Sequence, residues 1–164
     1  MKKIHRRDFL QTGIKAAMAW PLLEWPVLNK PAVQGHYRVG LIGTGWYGKS
    51  DLFRLMQVAD VQVIGLCDPD QNMLKEAADL VGVKQPNYPR PQTYRDYREM
   101  LAANAYDIIL IGSPDHWHAL QAIAAIENGA NVYLQKPISV DIHEGEAILQ
   151  AARKKGATVQ VGLQ

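Results

Sequence analysis

The stretch His36-Tyr37-Arg38-Val39-Gly40-Leu41-Ile42-Gly43-Thr44-Gly45-Trp46-Tyr47-Gly48 decides how the rest of the chain is read. Its first seven residues form a short apolar run that predicts a buried parallel strand, and the run ends directly on a glycine cluster. Gly43, Gly45 and Gly48 stand in G-x-G-x-x-G spacing, followed by a helical stretch with Leu52, Phe53, Leu55, Met56 and Val58 on roughly one side. The first glycine permits a tight turn, the second lets backbone approach a pyrophosphate, and the third lets helix and strand pack closely. The helix N-terminus then offers unpaired N–H groups to the anion. A second apolar run, Val61 to Leu66, closes on Cys67-Asp68-Pro69, which places Asp68 20 residues past Gly48. A carboxylate at that distance is placed to bind the ribose of a dinucleotide. Gly43, Thr44, Gly45, Trp46, Tyr47, Gly48 and Asp68 are therefore candidate cofactor residues. Pro69 and Asp70 follow Asp68, with no Arg or Lys to neutralise a 2′-phosphate, so the expected cofactor is NAD and not NADP.

Beyond this core the chain alternates strands and helices. Asp70 is placed to cap a helix whose apolar face is Leu74, Ala77, Ala78 and Val81. Residues 86–91, rich in proline, are a loop, and Asp96 with Glu99 reads as a capping box opening a short helix. Asp107 to Ile111 predicts a further buried strand, with Asp115 capping the helix after it, and Asn131 to Leu134 a fifth. Asp141 and Glu144 form a second capping box, Arg153-Lys154-Lys155-Gly156 ends that helix, and Thr158 to Gly162 is a sixth strand. The expected fold is α/β: a doubly wound, mainly parallel six-stranded sheet with helices on both faces.

The chain has 164 residues with 18 Lys+Arg, 16 Asp+Glu and a single Cys, a length that suits one domain with a real core. One Cys excludes an internal disulfide and a cysteine-based zinc site. Residues 1–30 hold six basic side chains against Asp8 and Glu24; removing them from the totals leaves 12 basic and 14 acidic residues. A mildly acidic body argues against nucleic-acid binding. The basic opening contains Arg6-Arg7-Asp8-Phe9-Leu10, which resembles a twin-arginine export signal. Residues 1–33 are accordingly expected to be a leader and linker, read by the twin-arginine translocase and directing the protein to the periplasm. Residues 34–164 are the expected nucleotide-binding domain. No run reaches the length of a membrane span.

Two later stretches lie at the carboxyl ends of strands, where open α/β sheets bind ligands. One is Gly112-Ser113-Pro114-Asp115-His116-Trp117-His118 and the other Gln135-Lys136-Pro137. His116 and His118 are two apart, so on a helix they diverge, and with no Cys or paired carboxylate beside them no metal site is expected. Lys136, held by Pro137 at the mouth of the nucleotide site, is the candidate acid/base.

The order of these motifs resembles the N-terminal half of the glucose–fructose oxidoreductase / inositol dehydrogenase (Gfo/Idh/MocA) family. The similarity covers nearly all of residues 36–164, including Tyr94-Arg95-Asp96-Tyr97 and Val159-Gln160-Val161-Gly162. It implies a Rossmann domain followed by an α/β substrate domain. It also implies hydride transfer between NAD and a sugar or polyol, with Lys136 as the catalytic residue. Ser113, Pro114 and His118 match the family's segment lining the nicotinamide ribose. Gln135 stands where the family carries Glu, and can still hydrogen-bond cofactor or substrate. The chain ends where the substrate domain would begin, so it is expected to be part of a longer protein. Two other functions fit the residues: an NAD-dependent glycoside hydrolase working by transient oxidation, and a non-catalytic NAD-binding module. A homo-oligomer is compatible with each.

Overall fold

The computed structural model describes residues 36–163. Among these, six strands and five helices alternate: β1 Tyr37–Ile42, α1 Trp46–Val58, β2 Val61–Cys67, α2 Gln71–Lys84, β3 Gln92–Tyr94, α3 Tyr97–Ala103, β4 Ile108–Ile111, α4 His118–Glu127, β5 Asn131–Gln135, α5 Ile142–Lys155 and β6 Val159–Gly162. The strands form one sheet in the order β3-β2-β1-β4-β5-β6, and every pairing is parallel. This is the dinucleotide-fold order, and its reversal falls between β1 and β4.

Alternation along the strands divides the core into two layers. Val39 and Leu41 of β1, Val63 of β2 and Leu110 of β4 pack with Leu52 of α1 and with Leu74, Ala77, Ala78 and Val81 of α2. Ile42, Ile109, Ile111, Val132 and Leu134 pack on the opposite face, with Met100, Ala119, Ala122, Ala125, Ile126 and Ile148 from α3, α4 and α5. The sheet is buried on both sides of β1, which is why its strands read as continuous apolar runs.

The helix termini show what local sequence specified. Asp70 accepts from the N–H groups of Asn72 and Met73, as a cap should. Asp96 accepts from Arg98 N–H. Asp141 accepts from Glu144 N–H at 2.9 Å, while Glu144 reaches back to Val140 N–H, one residue before the expected partner. Gly156 closes α5 in the left-handed region at φ +66° behind three basic residues.

Two expectations are corrected. Asp115 does not cap α4. Asp115–Trp117 instead makes one 3₁₀ turn, anchored by Trp117 N–H to Pro114 O, and α4 opens at His118 without a side-chain cap. Val58 is not on the apolar side of α1 but 82% exposed. The remaining strand of the expected six, to which the sequence pattern assigns no residues, is Gln92–Tyr94 after the proline loop; three residues at a sheet edge are too few to show a periodicity. Among the described residues no helix is long and apolar enough to cross a membrane.

Candidate nucleotide and reaction site

The carboxyl ends of β1, β2 and β4 open onto a cleft of about 420 Å³. Its floor is Ile42 and Cys67. Gly43, Gly45, Asp68 and Pro69 form one wall, and Gly112, Ser113, Pro114, Trp117 and Gln121 the other. Tyr97, Arg95 and Arg98 close the end under β3.

Each glycine of the loop has its own task. Gly43 turns at φ +89°, and a Cβ there would lie 2.6 Å from the Gly112 carbonyl carbon, so the loops after β1 and β4 touch through backbone alone. A Cβ on Gly48 would meet Gly43 O at 2.0 Å, which fixes how closely α1 approaches its strand. Gly45 is different. A Cβ there would meet nothing within 4 Å and would project into open space beside the cleft. What its missing side chain leaves clear is room for a ligand. Gly45 is also the N-cap of the 13-residue α1, and no side chain caps that end. An uncapped helix N-terminus behind a glycine with open space above it fits a dinucleotide pyrophosphate.

Asp68 is half-buried at the end of β2. Its Oδ2 accepts from Thr44 N–H at 2.7 Å and Thr44 Oγ at 3.1 Å, and its Oδ1 accepts from Asp70 N–H at 2.9 Å. The carboxylate therefore fastens the glycine loop to the second strand as well as facing the cleft. Thr44 itself is fully buried, so it braces Asp68 from below. Trp46 stands 76% exposed at the start of α1, edge-on to Tyr47. The Cys67 thiol, although in the floor, is pushed up to about 12 by burial and then by Asp68, Asp96 and Glu99. It is a neutral apolar surface and not a nucleophile.

The wall from β4 contains residues the sequence reading did not select. Ser113 Oγ donates to Gln121 Oε1 at 2.6 Å, and Gln121 is 6% exposed. The signal was available: Gln121 interrupts an otherwise apolar stripe with Ala122, Ala125 and Ile126 on α4. Trp117 packs edge-to-face on Tyr97, whose ring carries the Arg98 guanidinium 4.6 Å from its centre. Together these rings give the cleft an aromatic border suited to a flat base. His118 does not face the cleft. It is completely buried, with Nδ1 2.7 Å from Pro137 O and Nε2 2.9 Å from Ser113 O, so it joins the loops after β4 and β5.

Lys136 is exposed at the end of β5, the strand beyond β4 on the same carboxyl edge. The Lys136–Pro137 peptide is cis. Gln135 lies beneath it, 5% exposed, its amide bonded to Asp51 of α1. The structure thus groups Gly43, Thr44, Gly45, Asp68, Ser113 and Pro114 about one cleft, and sets Gln135 and Lys136 beside it on the next strand. Among the described residues no cluster of three His, Cys, Asp or Glu side chains could hold a metal.

Residues 37–163 match the Gfo/Idh/MocA family, an oxidoreductase family described by its NAD-binding Rossmann fold. The chain belongs to this family. It is 29% identical over 176 residues to a glycosyl hydrolase family 109 protein of Shewanella baltica strain OS185, covering 94% of this chain and 38% of that protein. Among solved structures it resembles myo-inositol 2-dehydrogenase from Lactobacillus plantarum, with a TM-score of 0.68, 26% identity and coverage of 78% of this chain and 36% of that one. It also resembles the WlbA dehydrogenase from Chromobacterium violaceum in complex with NADH and UDP-GlcNAcA, with a TM-score of 0.71 at 26% identity, covering 80% and 36%. The chain spans 38% of the length of the curated relative it matches.

Proposed function

We propose that this Gfo/Idh/MocA chain is the nucleotide-binding part of an oxidoreductase that moves a hydride between NAD and a carbon of a sugar or polyol. The observation that carries this reading is the placement of Lys136. It stands exposed on the same sheet edge as the glycine loop, one strand past the cleft wall that Ser113 and Pro114 form. The Gly43–Gly48 loop and the α1 N-terminus would hold the pyrophosphate, Asp68 the adenosine ribose, and Ser113 with Pro114 the ribose further along. When bound, NAD supplies the hydride acceptor; the chain's own part is to orient it, exclude water and move a proton. Lys136 is the group placed to exchange that proton with the substrate hydroxyl.

In the complete gene product, Lys136→Met should cut turnover by roughly 10²–10⁴ while NAD affinity changes little. Full kcat without Lys136 would end the catalytic assignment.

The name of the Shewanella relatives favours a second reading, a glycoside hydrolase in which NAD oxidises the sugar transiently and is restored. Incubating the complete product with NAD and candidate glycosides separates the two. Net NADH identifies a dehydrogenase; released leaving group without net NADH identifies the hydrolase.

Residues 1–33, outside the described residues, we read as a twin-arginine leader, on the strength of Arg6-Arg7-Asp8-Phe9-Leu10. That route carries folded proteins, which suits a domain that loads its nucleotide before export to the periplasm. Replacing Arg6 and Arg7 with Lys keeps the charge and should retain the protein in the cytoplasm. Unchanged export would refute it.

A further inference from the structure

Asp51 lies on α1, is not among the residues that line the nucleotide cleft, and is 7% exposed. A buried carboxylate needs donors. One donor is Gln135 Nε2, 2.6 Å from Asp51 Oδ2. The other end of the same amide is also engaged: Gln135 Oε1 accepts from the backbone N–H of Lys136 at 3.1 Å. Because a carboxylate can only accept, Asp51 forces Nε2 toward itself and Oε1 toward Lys136. The orientation of the Gln135 amide, and with it the first peptide of the lysine turn, is set from the helix that carries the glycine loop.

We propose that Asp51 is a positioning residue for Lys136, acting through Gln135, and that the two side chains are matched in hydrogen-bond polarity. The proposal rests on reading Lys136 as the reacting group. It ties the two halves of the site together, since α1 both begins at the pyrophosphate loop and holds the lysine turn. His118 grips the same turn from the opposite layer, through Pro137 O. The substitution Gln135→Glu would place two carboxylates within hydrogen-bond distance in a buried site, and one of them would have to take a proton. Adding Asp51→Asn reverses the polarity, because the new amide on α1 can donate to the new carboxylate on β5. The titratable groups that the structure sets near Asp51 include Tyr133 on β5 and Tyr47 and Arg54 on α1, with Lys136 at the turn that Gln135 holds. Tyrosine, arginine and lysine side chains ordinarily keep one charge state between pH 5 and 8.

The test is a four-member cycle in the full 164-residue chain: wild type, Asp51→Asn, Gln135→Glu and the double variant. Each is followed by thermal melting at pH 5 and pH 8 and by the ¹H–¹⁵N resonance of Lys136. Asp51→Asn keeps an acceptor and should shift little in either measurement. Gln135→Glu should lose roughly 4–8 °C at pH 8, recover part of that at pH 5, and move the Lys136 resonance. The double variant should regain the wild-type melting temperature at both pH values and return the resonance. A double variant no better than Gln135→Glu, or a Lys136 resonance that moves in neither, overturns the proposal. The Lys136→Met experiment judges the underlying reading separately, because the melting and resonance cycle uses neither substrate nor turnover.

Discussion

Among single residues, Gly45 separates binding from folding most cleanly. Its φ of −61° suits any residue and a Cβ there meets nothing within 4 Å, so Gly45→Val should fold, losing only the modest difference between glycine and valine at a helix N-cap. The branched side chain would stand where a pyrophosphate lies, and the NADH-induced rise in melting temperature should vanish. At saturating NADH the wild-type chain should gain about 2.7 kcal/mol at a ligand concentration 100 times Kd. Gly48→Ala should behave oppositely, failing in the absence of ligand, because the new Cβ would meet Gly43 O at 2.0 Å. Asp68 belongs to both categories. Asp68→Ala removes the acceptor for Thr44 N–H, Thr44 Oγ and Asp70 N–H, and should cost about 1–3 kcal/mol of stability together with a ten- to hundredfold loss of NAD affinity. Calorimetry beside a denaturant titration would separate the two effects. Cys67 and Tyr106 predict the alkaline limit. Burial pushes both up to about 12, whereas in the unfolded chain they ionise near 8.5 and 10. The unfolded state therefore releases protons first, and stability present below about pH 8.5 should be lost as pH rises toward 12. Cys67→Ala should flatten the early part of that decline in denaturant titrations at pH 7 to 10.

At the level of strands and helices, the sheet was legible because it is buried on both faces. Val39 to Ile42, Val61 to Leu66 and Ile108 to Ile111 have little exposed surface that would require polar residues, so their runs stand out, with Gln62 the single polar residue among them. The glycine loop was legible for the same reason that it works: backbone contacts leave no freedom of residue choice at Gly43 and Gly48. What escaped notice were contacts that no spacing rule describes. Tyr106 fills a slot above Gly40 and Gly65, with a Cβ on Gly65 falling 2.2 Å from its hydroxyl oxygen. Gln121 and Asp51 are polar residues turned inward, and only their partners, Ser113 in the loop after β4 and Gln135 at the end of β5, explain them. His118 is the sharpest instance. Its sequence neighbourhood suggested a ligand contact, yet the ring lies between two backbone carbonyls that can only accept. His118→Ala should leave whichever of Pro137 O and Ser113 O takes its ring N–H without that donor and open a cavity, costing roughly 2–4 kcal/mol. Hydrogen exchange should then show the loops after β4 and β5 loosening together, ahead of the rest of the domain.

For the whole molecule, the parallel sheet makes sequence neighbours into poor guides to spatial neighbours. β1 pairs with β2 over a short crossover, but its other partner, β4, lies 69 residues along the chain at the Arg38–Asp107 contact. The site inherits this separation, since Gly43 packs against Gly112 and Lys136 is oriented through Asp51. The close contact of Gly43 with the Gly112 backbone also sets a timetable. During synthesis the G-x-G-x-x-G segment leaves the ribosome early, followed by α1 and β2, but the surface against which its first glycine closes is not made until β4 has emerged. Non-local pairing of this kind is slow to form. A nascent chain halted before β4 would carry the complete fingerprint and still lack a finished cradle, so NADH should begin to protect the chain from protease only after residue 112 is clear of the exit tunnel.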